Sequence, residues 1–261
     1  LIDIRRRIRS VKSTQQITRA MKLVSAAKLR RAQDRVIAAR PYASMLARVL
    51  SDVSEAARTN EQLAAHPLLA RRNEQRIQLI LITSDRGMAG AFNSNLIKAA
   101  QSFIGEHAEQ QVMIETIGRK GRDFFRKRGA SVSGEMVGMT DKVRYAEASE
   151  LAKRVSDRFV AGEIDAVYLL YNEFKSILTQ RLTVERILPT SLPEDVHGIE
   201  YIYEQPPEKL LERLLPRYVE VGIYRALLES AAAQQAARMT AMDAATSNAA
   251  DMIGRLTLYM N

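Results

Sequence analysis

The sequence predicts an α/β protein in which two long terminal helices form an antiparallel coiled coil that stands on a small open α/β domain. Three observations predict this class. Helical periodicity without glycine runs through residues 1–60, short apolar runs alternate with amphipathic segments in residues 75–190, and helical periodicity returns over residues 208–261. We interpret these ranges as the N-terminal helix of a shaft, a globular domain and the C-terminal helix of the shaft.

The first range predicts one very long helix. Apolar residues keep a 3-4-3 spacing at its start, and the pattern resumes beyond its single proline, Pro41. At 1.5 Å per residue such a helix measures about 85–90 Å, which exceeds the width of any domain that the rest of the chain can build. We therefore expect this helix to protrude, with a bend near Pro41.

The excess positive charge of the chain lies in the same range. Residues 1–60 contain 14 Arg and Lys but only four Asp and Glu, a net charge of +10, whereas the other 201 residues have a net charge of −1. A segment of this charge is expected to bind an acidic surface, which can be nucleic acid, anionic lipid or acidic protein. Its apolar stripe is thin and its other faces are basic, so a helix of this length needs a partner.

The middle of the chain alternates between strand and helix patterns. The predicted strands are residues 77–83, 112–117, 166–172 and 180–188, and the predicted helices are residues 94–106, 119–128 and 146–161. Strands that alternate with helices indicate an open, mostly parallel, Rossmann-like sheet.

The C-terminal part combines a proline-containing linker with an alanine-rich helix. Residues 189–207 are predicted as the linker, and the following helix is expected to kink at Pro216. Ten of the residues in the range 231–250 are alanine, and small side chains let two helix axes approach closely. Because the chain begins at Leu1 and stops within a helical pattern, we also expect it to be the ordered part of a slightly longer protein.

The sequence contains no pattern that is typical of catalysis or metal binding. It has no Cys, its three histidines are scattered, and no Ser stands in a nucleophile–base arrangement. We therefore predict no catalytic site, no metal and no cofactor. No apolar run reaches the roughly 20 residues that a membrane-spanning helix needs.

Two other classes of function stay open on these patterns. The loop at residues 84–93 (SDRGMAGAFN) could hold a nucleotide phosphate in an α/β enzyme, although its Gly87-x-x-Gly90 spacing matches neither common phosphate-binding motif. The basic N-terminal helix could bind nucleic acid, although no helix-turn-helix, zinc finger or RNP-like motif accompanies it.

Three stretches resemble the gamma subunits of F-type ATP synthases. Residues 17–33 (ITRAMKLVSAAKLRRAQ) are similar to the N-terminal signature of that family, and residues 84–93 to its central loop. Residues 236–248 (AARMTAMDAATSN), followed by residues 252–261 (MIGRLTLYMN), are similar to its C-terminal helix. The stretches occur in the family's order. Lys22 departs from the pattern, since many members carry Glu there.

The resemblance implies the rotating central-stalk subunit of a proton-translocating F-type ATP synthase of bacterial type. Such a subunit couples ion-driven rotation to conformational change at the catalytic beta subunits and has no catalytic site of its own. The implied partners are the alpha and beta subunits (3:3:1), the epsilon subunit and the membrane c-ring, with no nucleic acid. The implied location is the cytoplasmic face of the bacterial plasma membrane, where the subunit is peripheral and attached only through the complex.

Two sets of residues on the terminal helices are predicted to contact partners. The first set lies on matching motifs, where the two helices are expected to pass each other within a bearing: Met21, Lys22, Arg238 and Met242. The second set is chosen by charge and position for pairing with acidic loops of beta: Lys28, Arg30, Arg31 and Arg35. For Lys22, a simply solvated surface lysine is the alternative.

Two further pairs of residues are predicted contacts outside the coiled coil. Asp85 and Arg86 lie on the loop that resembles the family's contact with beta, and we expect both to be displayed to a partner. Tyr201 and Glu204 are predicted for the foot that meets epsilon and the membrane ring.

Overall fold

The computed structural model describes residues 2–56, 66–191 and 206–260. Within these ranges the α-helices are α1 (Ile2–Ala56), α2 (Phe92–Glu106), α3 (Arg119–Lys127), α4 (Tyr145–Val160) and α5 (Pro207–Met260). The strands are β1 (Arg76–Ile82), β2 (Gln111–Ile117), β3 (Val132–Met136), β4 (Ala166–Phe174) and β5 (Gln180–Leu188). A short 3-10 helix, Pro67–Leu69, precedes β1.

The two long helices α1 and α5 pack against each other in antiparallel orientation. The Oγ1 atoms of Thr18 and Thr246 are 2.8 Å apart, and Arg217 Nε donates a hydrogen bond of 3.2 Å to the Tyr42 hydroxyl. Residue numbers therefore rise along α1 where they fall along α5. This confirms the predicted antiparallel pairing of the terminal helices.

Both helices continue through a proline. Pro41 and Pro216 are exposed on the outer sides of α1 and α5. A proline leaves the carbonyl of residue i−4 without its helical donor, and those carbonyls belong here to the exposed residues Ile37 and Glu212, where water can bind them. The bends expected at these positions stay a prediction.

The central sheet has the strand order β3-β2-β1-β4-β5. The strands β1 to β4 run parallel to one another, and β5 is antiparallel to β4. β1 is buried from Ile77 to Ile82, as expected for the central strand of a sheet that is covered on both faces. The open, mostly parallel sheet predicted from the sequence is therefore present.

The strand β3 was not predicted from the sequence. It is a five-residue edge strand with the sequence VSGEM, and none of its residues is fully buried, so it lacks the apolar run that marks the other strands. Its Gly134 has a packing reason, because a Cβ there would lie 3.0 Å from Glu115 Oε1. Residues 192–205 of the predicted linker lie outside the described residues.

One hydrophobic core joins the sheet to the long helices. Leu50 and Val53 of α1, Ile80 of β1, and Leu215 and Ala233 of α5 are all fully buried in the same cluster. The sheet and the inner halves of α1 and α5 therefore form one packed body, which we call the hub.

The outer ends of the two long helices extend beyond the hub. Within the described residues, the hydrophobic core cluster contains no residue before Leu29 on α1 and none after Met239 on α5. The outer ends of α1 and α5 are joined to each other by hydrogen bonds, as in the pair Lys22–Asp243. At 1.5 Å per residue, residues 2–28 of α1 measure about 40 Å. We call this projecting pair of helix ends the shaft.

Candidate functional site

The loop between β1 and α2 forms a tight, internally bonded turn. The backbone N–H of Ser84 donates a hydrogen bond of 2.9 Å to Asn93 Oδ1, and the Ser84 hydroxyl donates one of 2.6 Å to the carbonyl of Arg86. Met88 and Gly90 both have positive φ angles, 60° and 55°, which turn the chain sharply into α2. The loop is thus held at the carboxyl end of the central strand.

The carboxylate of Asp85 ties this loop to the two neighbouring loops of the hub. Its Oδ1 accepts a hydrogen bond of 3.1 Å from the N–H of Arg119, at the start of α3. Its Oδ2 accepts bonds of 3.1 Å from the N–H of Gly138 and 2.9 Å from the hydroxyl of Thr140. Both oxygens of Asp85 thus bind donors inside the chain, and the contact of Asp85 with a partner stays a prediction. Its role is to hold three loops together.

Arg86 is the exposed member of the predicted loop pair. Its side chain is 72% exposed and lies 3.7 Å from the carboxylate of Asp141. An ion pair that is this exposed is weak, so the guanidinium remains available to another acidic group.

Arg238 on α5 lies beneath the same loop. It is buried, and its guanidinium donates hydrogen bonds of 3.4 Å to the carbonyls of Arg86 and Gly87 and one of 3.3 Å to Gln235 Oε1. Burial lowers the pKa of Arg238; Asp141 acts in the opposite direction. The predicted bearing residue Arg238 thus connects α5 to the loop inside the chain, and its contact with another subunit stays a prediction.

This arrangement opposes the nucleotide-binding alternative. A phosphate cradle presents several backbone N–H groups to its ligand, whereas carbonyls of this loop face a cation of the chain itself. The α5 helix also packs against the loop, since the Cβ of Ala241 lies 3.9 Å from the position that a Cβ on Gly90 would occupy.

The predicted bearing lies where the shaft leaves the hub. Lys22 Nζ is 2.6 Å from Asp243 Oδ1, so the lysine pairs with the opposite helix of its own chain. Met242 is buried and Met21 is half-buried. Lys22 and Met242 thus lie on contacting segments of α1 and α5, and Met242 faces inwards in the isolated chain.

The four basic residues predicted for acidic loops of beta divide into two groups. Arg30 and Arg31 are exposed and Lys28 is half-buried. Arg35 instead donates hydrogen bonds to the carbonyl of Val143 and, at 3.3 Å, to the hydroxyl of Tyr224. Arg35 therefore connects α1 to the hub. Tyr201 and Glu204 lie outside the described residues, so their assignment to a foot stays a prediction.

The intramolecular partners of these residues were not predicted from the sequence. Asp243, Thr140 and Asp141 were not singled out, although Asp243 directly follows the motif residue Met242. The two motifs were predicted to pass each other in an antiparallel coiled coil, with Lys22 near Met242. That register could have placed Asp243, the next residue, beside Lys22.

A cavity of about 650 Å³ lies where α1, α5 and the β4–β5 hairpin meet. Its charged side chains neutralise one another: Arg225 lies 2.8 Å from Glu185, and Arg40 lies 3.5 Å from Glu229. The other oxygen of Glu229 accepts a hydrogen bond of 3.1 Å from the N–H of Phe174. This cavity therefore joins α1 and α5 to the sheet through paired charges.

Residues 2–56, 66–191 and 206–260 contain neither a candidate metal site nor a candidate membrane-spanning helix. No group of His, Asp and Glu residues in these ranges has a geometry that could hold a metal ion. None of the helices there is long and apolar enough to cross a membrane.

Fold and site together define a shaft-and-hub protein whose candidate functional residues lie on surfaces and at joints between elements. The family model described as ATP synthase matches residues 1–261. The chain is 62% identical to the ATP synthase gamma chain of Solibacter usitatus, over all of this chain and 91% of that relative. It is 48% identical to the gamma chain of Pelotomaculum thermopropionicum, over all of this chain and 91% of that one. The chain belongs to the ATP synthase gamma-chain family.

Solved structures show the same fold. One match is a chain of the mitochondrial ATP synthase central stalk and c-ring of Tetrahymena thermophila, with a TM-score of 0.68, 25% identity, and coverage of 88% of this chain and 99% of that one. A second is a chain of the Euglena gracilis mitochondrial ATP synthase rotor, with a TM-score of 0.66, 18% identity, and coverage of 98% of this chain and 94% of that one. The second match supports the fold alone.

Proposed function

We propose that this chain is the rotating central-stalk subunit of an F-type ATP synthase and couples ion-driven rotation to conformational change at the catalytic beta subunits. The observation that carries this function is the shaft, a pair of helix ends that lies outside the hydrophobic core cluster of the described residues and whose two helices are hydrogen-bonded to each other. A projecting, basic, partly apolar helix pair needs a surrounding partner, and family membership identifies that partner as the rest of an ATP synthase.

The mechanism follows from the asymmetry of the shaft. One pair of helices cannot present the same face to three surrounding sites at once, so the sites differ in conformation at any moment. Rotation passes each site through all of its states, because the shaft binds those states with different free energies. The chain itself forms and breaks no covalent bond in this scheme, and we propose that it has no catalytic site.

The partners and the location complete the proposal. Alpha and beta surround the shaft in a 3:3:1 complex, and the hub meets epsilon and the membrane c-ring. The chain is peripheral at the cytoplasmic face of a bacterial plasma membrane and is held there only by the complex. Arg30, Arg31 and Arg86 are exposed and are the cations that we assign to direct contact with acidic loops of beta.

The experiment is co-expression of the chain with alpha and beta, followed by purification on a tag carried by the chain. We expect a 3:3:1 complex that hydrolyses ATP, whereas the isolated chain neither turns over ATP nor gives a binding isotherm with ATP in titration calorimetry. Measurable turnover by the pure chain, or failure of the three proteins to assemble, contradicts the proposed function.

A further inference from the structure

A cavity of about 440 Å³ lies between α1, α5 and the start of α4. Five of its lining residues belong to α1 and four to α5, and each set repeats at the helical spacing of three and four residues. Each wall is therefore one stripe along its helix. Tyr145, the first residue of α4, completes the lining. The cavity is a groove that follows the two antiparallel helices, and we call it the helix groove.

An arginine–tyrosine pair joins the two long helices at each end of the helix groove. Arg35 of α1 donates a hydrogen bond of 3.3 Å to the hydroxyl of Tyr224 on α5. Arg217 of α5 donates one of 3.2 Å to the hydroxyl of Tyr42 on α1. The two pairs are seven residues apart on each helix, which at 1.5 Å per residue places them about 10 Å apart along the groove.

The middle of the helix groove is apolar and aromatic. Ala38 and Ala39 line it from α1, and Val221 lines it from α5. The ring of Tyr145 stands edge-on to that of Tyr224, with 5.3 Å between the ring centroids. A flat apolar body fits this part of the groove better than a polar one, because it leaves no polar group without a partner.

The charged groups that line the helix groove are all cations. Among the described residues, none of the ten that line it is Asp or Glu. Arg35 binds two neutral acceptors, the Tyr224 hydroxyl and the carbonyl of Val143, so these partners leave its positive charge uncompensated. A guanidinium in this state favours an anionic ligand group at its end of the groove.

The arginine at the other end keeps part of its charge. Arg217 pairs with Glu220 at 3.1 Å, but its side chain is 46% exposed, and an ion pair in contact with water is weak. Its guanidinium also lies 4.8 Å from the centroid of the Tyr145 ring. Arg225 is paired with Glu185 at 2.8 Å and is not assigned to a ligand.

We propose that the helix groove is a binding site for a flat, elongated molecule with an anionic group at each end. Arg35 and Arg217 bind the two anionic groups, and the flat middle lies over Ala38 and Ala39 beside the ring of Tyr145. Such a molecule contacts α1, α4 and α5 at once, so its binding stabilises the joint between the helix pair and the rest of the hub. The inference is independent of the proposed function, because it concerns this chain alone.

The first experiment titrates the full chain with naphthalene-2,6-dicarboxylate, a rigid flat probe with a guanidinium-binding carboxylate at each end. We expect saturable binding, measured by the fluorescence of the probe. Naphthalene-2-carboxylate lacks one anionic end and terephthalate is too short to reach both arginines, so each should bind about fivefold more weakly, as for the loss of one ion pair. Absence of saturable binding by the dicarboxylate, or equally tight binding of naphthalene-2-carboxylate, overturns the proposal.

The second experiment repeats the titration with variants that lack one charge. We expect Arg35→Gln and Arg217→Gln each to weaken binding of the dicarboxylate about fivefold. Arg31→Gln and Arg213→Gln are matched controls, because both arginines are exposed on the same two helices and neither lines the groove. The controls should bind like the unchanged chain. If Arg35→Gln and Arg217→Gln also bind like the unchanged chain, the arginines do not hold the probe and the proposal is wrong.

The third experiment fills the helix groove and leaves both arginines in place. Ala38 is exposed, so Ala38→Phe needs no repacking of the core, and we expect it to abolish binding of the dicarboxylate without changing the midpoint of urea unfolding. Ala27→Phe, at an exposed position of the same helix outside the groove, should bind the probe normally. Unchanged binding by Ala38→Phe means that the probe lies elsewhere on the chain and overturns the proposal.

Discussion

Lys22 and Asp243 form an ion pair of 2.6 Å across the two helices at the base of the shaft. The pair gives Lys22 a role that the sequence did not predict, namely the fixing of one helix against the other. An exposed pair of this kind contributes roughly 0–1 kcal/mol, so its importance lies in the register of the helices more than in stability. A lysine at this site can still contact a partner, and the two roles are separable by charge exchange.

We predict that Lys22→Glu lowers the unfolding free energy of the chain by up to about 1 kcal/mol, because it places a second carboxylate beside Asp243. The double variant Lys22→Glu/Asp243→Lys should restore stability, since it rebuilds the pair with exchanged charges. Urea denaturation checks both, with Lys12→Glu on the exposed face of α1 as the control. If the double variant is as unstable as Lys22→Glu, the pair does not stabilise the helices.

The same variants separate the intramolecular role from a contact with beta. In reconstituted complex, the ratio of ATP-driven proton pumping to hydrolysis should change in Lys22→Glu if charge in the bearing tunes coupling. Recovery of the ratio in the double variant assigns the effect to the pair with Asp243. A ratio that stays altered in the double variant assigns it to a contact of Lys22 with beta.

Asp165 anchors the start of the central strand. Its Oδ1 accepts a hydrogen bond of 2.9 Å from the Arg76 guanidinium, and its Oδ2 accepts one of 2.9 Å from the Arg76 N–H. These hydrogen bonds from Arg76 lower the pKa of Asp165 below its ordinary value of 3.8, although burial opposes the shift. The ionised form is therefore the one that the folded state prefers.

We predict that Asp165→Asn lowers the unfolding free energy by about 1–3 kcal/mol at neutral pH, because charge-assisted hydrogen bonds to a buried carboxylate are lost. A group whose pKa is depressed on folding contributes stability above its unfolded pKa and loses it as the pH falls through its folded pKa. The difference between the unchanged chain and the variant should therefore shrink as the pH is lowered below about 4. Denaturation at several pH values checks this, with the exposed Asp157→Asn as control.

At the scale of elements, the alanine-rich part of α5 is a buried joint between this helix and the core. Ala232, Ala233 and Ala236 are completely buried where α5 packs into the core. Small side chains at these positions let the helix approach its neighbours closely, so a larger side chain must displace them.

We predict that Ala236→Leu lowers the unfolding free energy by about 1–3 kcal/mol through overpacking, although leucine is a good helix former. Ala244→Leu on the exposed side of the same helix should change it by less than about 0.5 kcal/mol. The measurement is chemical denaturation of both variants. A stable Ala236→Leu protein contradicts the close approach of the helices.

The sequence predicts elements better than it predicts pairings between side chains. Periodicity locates α1, α5 and four strands because it records which face of each element is buried. It misses β3, which is short and half-exposed, and it does not reveal that Gln78, inside the apolar run of β1, is buried against Glu115. Such pairings depend on which elements the topology makes neighbours.

The role of Asp85 shows the same limit within the candidate site. The motif identifies the loop, but the donors that occupy the carboxylate come from residues 34 to 55 positions further along the chain. They reach Asp85 only because parallel strands bring successive loops to one edge of the sheet. The sequence therefore identifies the motif residue Asp85 but not the donors of its own chain that bind it.

At the scale of the whole molecule, the shaft leaves apolar side chains and positive charge in water. Several large apolar residues of the shaft are more than half exposed: Ile17, Leu23, Val24, Met252, Leu258 and Tyr259. The same α1 helix lies in the range with a net charge of +10. Apolar exposure and repulsion between like charges both disfavour the isolated shaft, and a surrounding acidic partner relieves both.

We predict that the isolated chain melts at a lower temperature than the chain in complex with alpha and beta. A partner that binds only the folded chain raises the unfolding free energy by about 2.7 kcal/mol when its free concentration is 100 times the dissociation constant. Calorimetry of the chain alone, of alpha with beta, and of the three together separates the transitions, and an inert protein at equal concentration controls for non-specific effects. Low salt should enlarge the shift, because the contact is partly between charges. An unchanged melting temperature for the chain, in a sample that size-exclusion chromatography shows to be assembled, would mean that the shaft is stable without a surrounding partner.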